Sequence, residues 1–266
     1  MGRSARAILA GQAAASDGIR SVRAVERALD LLNVLEASGR PMRLTEVARV
    51  AEMHKATTQR LLNVLERRAF VQKVRGVYQV GVASLPLAHA FVMGNSLTRA
   101  AQSILQELGS ASGETVSVFV RLGFSRVAVQ RIEANAAPRY SLPLGQRLPL
   151  HLGAGRVLAA AMDTAELAQL LAELGEIRLA TGEVLDRATL LAELERIRRQ
   201  GFYVASSERS LGLASVSAPV VEADGRTLAV VCVTVPTERL TEDRTRELII
   251  AVRHAADAIA ASIAYS

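Results

Sequence analysis

The sequence predicts an α+β protein: a winged helix-turn-helix domain at the N-terminus, a connecting helix, and a larger C-terminal domain built on an antiparallel sheet. Three observations predict it. Two short amphipathic helices are separated by only residues 52–54 and followed at once by an alternating hairpin pattern. Beyond residue 96, strand patterns come in hairpin pairs with helices between them, which points to an antiparallel rather than a doubly wound parallel sheet. Charge is lopsided. Residues 1–80 hold 14 Lys and Arg against 7 Asp and Glu, whereas residues 81–266 hold 18 against 19.

The first helix is expected over residues 21–36, where Val22, Val25, Leu29, Leu32 and Leu35 recur at helical spacing, and Gly39 and Pro41 stop it. The second covers residues 44–51, with Leu44, Val47, Ala48 and Ala51 on one face. The third covers residues 55–67 and turns Thr58, Leu61, Leu62 and Leu65 inward. Residues 70–80 alternate about Arg75-Gly76, a hairpin whose turn wants the positive φ that glycine supplies. Helices follow over residues 82–94 and 97–108, the latter closed by Gly109. Strands are expected over 114–121 and 126–132, helices over 153–162, 164–174 and 187–199, and a strand pair over 215–221 and 227–235. A long helix over 242–263 ends the chain. The expected domains are a disordered leader (1–19), the winged helix-turn-helix domain (20–81), a linker helix (82–95) and the C-terminal domain (96–266).

Composition excludes several classes. A lone cysteine, Cys232, gives neither a disulfide framework nor a cysteine metal cluster, and it reads as a small core residue in a strand. His54, His89, His151 and His254 have no metal-ligand spacing. The most apolar runs, such as residues 227–235, fall far short of the ~20 residues a membrane span needs. The expected location is cytoplasmic, with no membrane partner. No phosphate loop or catalytic triad motif occurs. An enzyme fused to a basic domain would have to rely on Cys232, or on Glu208 with His151, and nothing places a base beside Cys232. No enzymatic activity, cofactor or metal is expected.

A basic first third implies a polyanionic partner. The outward face of the third helix carries Lys55, Ala56, Gln59, Arg60, Asn63 and Arg67 at spacings of three and four. Gln and Asn can pair with adenine edges, and Arg with guanine. Thr57 and Thr58 lie in the first turn, where hydroxyls and free backbone amides suit phosphates. Arg75 at the wing tip could enter the minor groove or meet phosphate, and Lys73 adds a backbone contact. The expected partner is double-stranded operator DNA. A module of this fold that has lost DNA binding is the other reading, with Glu52 in the turn as its support.

With these residues in view, the chain resembles the IclR family of bacterial transcriptional regulators over about residues 20–264. The resemblance is carried by Ser21-Val22-Arg23-Ala24-Val25-Glu26-Arg27-Ala28-Leu29, Leu44-Thr45-Glu46-Val47-Ala48, Lys55-Ala56-Thr57-Thr58-Gln59-Arg60-Leu61-Leu62 and Tyr78-Gln79-Val80-Gly81. In the C-terminal part it is carried by Gly113-Glu114-Thr115-Val116, Leu148-Pro149-Leu150-His151, Gly153-Ala154-Gly155-Arg156, Arg198-Arg199-Gln200-Gly201-Phe202, Glu208, Gly212 and Ala218-Pro219-Val220. The resemblance implies a GAF/PAS-like effector-binding domain behind the winged helix, and assembly as a homodimer or tetramer. It also implies a ligand-responsive regulator that represses or activates genes for catabolism of small organic or aromatic acids. Two positions depart from the family's pattern. Glu52 stands where glycine is usual, which calls for either a left-handed backbone or a slightly different turn, and His54 stands where proline is usual.

By position in the family, the effector pocket is expected at His151, Leu152, Gly153, Ala154, Glu208, Ser215, Ser217, Val233 and Thr234. Ser215 replaces the family's usual cysteine. A helix starting near residue 152 would offer amides to a carboxylate, and Ser215 and Ser217 would face one side of a strand. Glu208 would repel an acid unless it pairs with a cation, is protonated, or binds a hydroxyl.

Overall fold

The structure, a computed structural model, describes residues 22–133 and 142–264. The leader expected over residues 1–19 lies outside them. The chain divides between Met93 and Gly94 into two compact units.

The first unit contains α1 (Arg23–Ser38), β1 (Met42–Arg43), α2 (Leu44–Val50), α3 (Lys55–Arg67), β2 (Val71–Val74), β3 (Val77–Val80) and α4 (Ser84–Gly94). Its core joins Leu31, Val34 and Leu35 of α1 to Val47, Leu62, Leu65, Val71 and Tyr78. The helix carries two apolar stripes, and the core takes the one through Leu31 and Leu35, while Val22, Val25 and Leu29 stay more than half exposed. In the turn, Glu52 adopts φ +52°, as its place in a glycine position requires. His54 then caps α3: its Nδ1 accepts the Ala56 amide at 3.4 Å.

The wing is the β2–β3 hairpin. Arg75 and Gly76 both take positive φ, which matches the twist of the flanking strands. Strand β1, too short to show a pattern in the sequence, pairs Met42 with Tyr78 and makes the sheet three-stranded. A Cβ at Gly81 would overlap the Ala69 carbonyl, so only glycine lets the end of the wing close against the end of α3.

The second unit opens with α5 (Ser96–Ser112), capped by the Asn95 side chain at one end and left-handed Gly113 at the other. It outruns the expected stop at Gly109, which lies inside the helix against the Ile132 side chain. Six antiparallel strands follow in the order β6-β5-β4-β11-β10-β9: β4 (Thr115–Leu122), β5 (Ser125–Ile132), β6 (Arg147–Pro149), β9 (Tyr203–Ser206), β10 (Leu213–Val221) and β11 (Thr227–Pro236). Side chains alternate between the faces. One face, including Val116, Val118, Val216, Val231 and Val233, packs on α5 and the C-terminal α9 (Glu242–Ala264). The other, including Phe119, Ala128, Tyr203, Ala205, Val230 and Cys232, packs on α6 (Gly155–Ala160), α7 (Thr164–Glu173) and α8 (Arg187–Gln200). A ribbon of β7 (Ile177–Arg178) and β8 (Val184–Leu185) lies between α7 and α8 in sequence.

Candidate nucleic-acid interface and ligand cavity

Helix α3 presents Lys55, Ala56, Arg60, Asn63 and Arg67 to solvent, while Thr57 is half-buried. Lys73 and Arg75 are exposed on the wing, and the Lys73 ammonium lies 5.3 Å from the centre of the Tyr78 ring. Two residues expected at the interface sit otherwise. Thr58 is fully buried, and its hydroxyl donates to the His54 carbonyl at 3.2 Å, so this side chain supports the helix from beneath rather than meeting phosphate. Gln59 is half-buried. Its Nε2 donates to Asn63 Oδ1 at 2.7 Å and to the Tyr78 hydroxyl at 3.0 Å. It bridges the helix to the wing and orients Asn63.

In the second unit, a cavity with about 510 Å³ of empty space, part of it open to solvent, lies on the α6–α8 side of the sheet. Of the nine residues expected there, Gly153, Ala154, Glu208, Ser215 and Thr234 line it; His151, Leu152, Ser217 and Val233 do not. Val233 belongs to the opposite face of β11, against α5 and α9, because side chains alternate and its neighbours Cys232 and Thr234 take the cavity side. Ser217 does share a face with Ser215, but its hydroxyl is fully buried beside Tyr203 and Cys232, its cross-strand neighbours. The Leu152 carbonyl accepts from the Arg126 guanidinium, and the His151 carbonyl accepts from Arg156 Nε at 2.9 Å.

The expected anion site at a helix start is filled by the protein itself. Glu208 Oε2 accepts the Gly153 amide at 2.7 Å, and Oε1 accepts the Tyr203 hydroxyl and lies 3.2 Å from Arg156. Helix α6 is only six residues long. Arg156 is fully buried, pairs also with Glu193, and faces the Tyr203 ring at 5.3 Å. Burial and the neighbouring Glu208 carboxylate push the Tyr203 phenol above its ordinary range. Thus Glu208 does pair with a cation, and its charge is spent inside the fold. At Gly155 a Cβ would collide with the Leu150 and Pro149 carbonyls and with Arg126, so the Gly-Ala-Gly-Arg stretch packs against the cavity wall as tightly as backbone allows.

Sequence reasoning missed Phe119, Arg126, Arg131, Arg209 and Cys232 in the lining. Cys232 is buried in a strand, as read, yet also borders the cavity. Strand alternation relative to Ser215 and Thr234, once the pairing of β4, β5 and β11 is known, locates Phe119, Arg126 and Cys232; Arg131 lies beyond a bulge in β5 and Arg209 on the β9–β10 loop, where alternation gives no signal. Among the described residues no cluster of His, Cys, Asp and Glu could hold a metal, and no helix is long and apolar enough to cross a membrane.

A winged helix with a cationic outward helix, joined in one chain to a sheet domain with a polar cavity, defines a DNA-binding transcriptional regulator rather than an enzyme. Residues 24–75 match the IclR helix-turn-helix domain and residues 89–261 match the bacterial transcriptional regulator IclR C-terminal domain; the chain belongs to the IclR family. It is 30% identical over 228 residues to the HTH-type transcriptional repressor AllR of Escherichia coli K12, covering 85% of this chain and 84% of that protein. The IclR transcriptional regulator from Alicyclobacillus acidocaldarius has the same fold, with a TM-score of 0.77 at 23% identity over 91% of this chain and 99% of that one. So does an IclR homologue from Microbacterium hydrocarbonoxydans complexed with 4-hydroxybenzoate, with a TM-score of 0.72 at 18% identity over 91% and 100% of the two chains.

Proposed function

We propose that this chain is a ligand-responsive repressor of catabolic genes. Residues 20–81 bind operator DNA, 82–95 form the linker, and 96–266 bind a small organic or aromatic acid. Arg60 and Asn63 read base edges in the major groove; Lys55, Ala56, Thr57, Arg67, Lys73 and Arg75 meet the backbone or the adjacent groove. The observation that carries this reading is the exposed α3 face, from which Arg60 and Asn63 project free of any acidic neighbour on that face up to Glu66. The AllR relatives support a repressor, and the 4-hydroxybenzoate complex of a protein of this fold supports an acid in the cavity.

Effector binding acts by shifting the population between DNA-competent and DNA-incompetent arrangements, as far as its affinities for the two differ. A homodimer or tetramer is the functional form. Its support is the exposed apolar surface of α4, where Leu85, Leu87 and Met93 are each at least 60% exposed. A bacterial DNA-binding regulator works in the cytoplasm, with its operator. A gel shift on the intergenic DNA upstream of the gene tests the reading. A retarded band that weakens steeply with salt is expected; no retardation at low salt overturns it.

A further inference from the structure

The cavity of the second unit contains one side chain that can only accept hydrogen bonds. Its arginines can only donate, and each already has interactions within the fold. Ser210, Ser215 and Thr234 carry hydroxyls, which donate or accept as a ligand demands. Among the described lining side chains, the Glu208 carboxylate alone is an acceptor with nothing to donate. It therefore asks more of a ligand than its neighbours do: a hydrogen-bond donor.

The protein's own donors leave room on that carboxylate. A carboxylate has about four acceptor positions. Glu208 Oε1 accepts the Tyr203 hydroxyl and lies 3.2 Å from Arg156 Nη1. Oε2 accepts the Gly153 amide at 2.7 Å and no other donor among the described residues. A second lone pair of Oε2 is thus open, on a side chain that is more than nine-tenths buried. The donor it suits is neutral. Arg156 already lies against this carboxylate, so a ligand ammonium would bring a second cation to an ion pair that is made, and would be stripped of water to do so. A hydroxyl needs only the lone pair. Glu208 stands two residues past β9, whose Ala205 pairs with Ser215, and Phe119, Leu148 and Ala205 give the cavity apolar lining for the rest of a small carbon skeleton.

Resting on the acid-binding reading of this cavity, we propose that its ligand is a hydroxylated acid, whose hydroxyl donates to the open position of Glu208 Oε2. The same acid without the hydroxyl leaves that position unfilled, and a site that pairs a hydroxyl discriminates against the analogue lacking it.

Isothermal titration of the full chain with acids of matched skeleton tests this, with DNA affinity measured in parallel. Lactate is compared with propionate, 2-fluoropropionate and alanine, 3-hydroxybutyrate with butyrate, and 4-hydroxybenzoate with benzoate and 4-fluorobenzoate. The fluorinated acids resemble the hydroxy acids in shape but cannot donate. At least one hydroxy acid is expected to bind about tenfold or more tightly than its unsubstituted counterpart, the effect of one hydrogen bond to a charged group, and the fluorinated acids should bind like the unsubstituted ones. Glu208→Gln keeps the shape and makes the acceptor neutral, and should narrow the preference to about threefold or less. The fluorinated acids keep the test open if that variant fails to fold. A preference that survives Glu208→Gln in full overturns the assignment to Glu208. Alanine binding as tightly as lactate overturns the hydroxyl. Unsubstituted acids that bind as tightly as hydroxy acids and release DNA overturn the hydroxy-acid assignment but leave the acid-responsive regulator standing. Binding by none of these acids overturns both. A hydroxy acid that binds through Glu208 without changing DNA affinity supports the assignment and overturns effector control.

Discussion

The Gln59 amide of α3 lies 3.0 Å from the hydroxyl of Tyr78 on the wing, and so ties the DNA-facing helix to the hairpin beside it. The same amide nitrogen holds Asn63 Oδ1 at 2.7 Å. Pre-orienting a reading side chain in this way spares binding the cost of ordering it. Tyr78→Phe keeps the buried ring and removes the tie. It should cost about 0.5–1.5 kcal/mol of stability, and should relax discrimination at the base facing Asn63 more than overall affinity. Competition binding on single-base operator variants checks this; unchanged discrimination would remove the tie from specificity.

The wing is expected to act on phosphate. Arg75→Ala should weaken binding almost equally on all sequences and reduce the slope of log affinity against log salt by about 1. A sequence-dependent loss with an unchanged slope would instead make Arg75 a base reader.

Glu52 stands at φ +52°, a conformation that costs a side-chain-bearing residue roughly 1–2 kcal/mol. Glu52→Gly relieves it at the expense of a more flexible unfolded chain, for a net gain of about 0.5–1 kcal/mol. Denaturant midpoints of the two proteins measure the difference, and a loss of stability would show that the Glu52 side chain contributes more than its backbone costs.

The buried Glu208–Arg156 pair is predicted to support the cavity wall. Glu208→Ala leaves Arg156 with Glu193 alone and frees the Gly153 amide. A loss of roughly 3–5 kcal/mol in the urea unfolding free energy is expected, since one partner of a buried pair is removed. A loss below about 1 kcal/mol would show that the wall does not depend on this pair.

His151 gives the C-terminal unit a pH dependence. Burial first, then Arg156 and Arg126, pushes its imidazole down to about 4 from 6.5. Between those values the unfolded chain binds a proton that the folded chain refuses. The contribution of His151 to stability is therefore intact above about pH 6.5 and lost progressively as pH falls to about 4, by roughly 3 kcal/mol at most. His151→Gln should flatten this part of the stability profile, and an unchanged slope would place its cause elsewhere.

Most of the first unit was legible because its elements are short, amphipathic and punctuated: residues 55–67 were read with the bounds α3 has, and the Arg75-Gly76 turn was read where it occurs. Thr58 was read both as inward and as a phosphate contact, and its burial decides for the first. The helical spacing of residues 22–35 was legible, but which side of α1 the core takes was not: Leu35 is buried and Leu32 packs at the core's edge, whereas Val22, Val25 and Leu29 stay exposed. The cavity was half legible. Family position supplied Gly153, Ala154, Glu208, Ser215 and Thr234, but Arg126 and Arg131 needed the strand pairing, and Arg131 needed a bulge that leaves no mark in the residue pattern. Val233 was misplaced for a different reason: it adjoins Thr234 on one regular strand, so alternation puts the two on opposite faces.

The central claim is that α3 reads DNA. It is tested most directly by fluorescence anisotropy on the upstream DNA, comparing the wild-type chain with Arg60→Ala at several salt concentrations, with folding of both verified by circular dichroism. A folded Arg60→Ala chain that binds its specific site more weakly by roughly 1–3 kcal/mol, and nonspecific DNA almost as before, is the predicted result. Equal affinity of the two proteins for the specific site would contradict it.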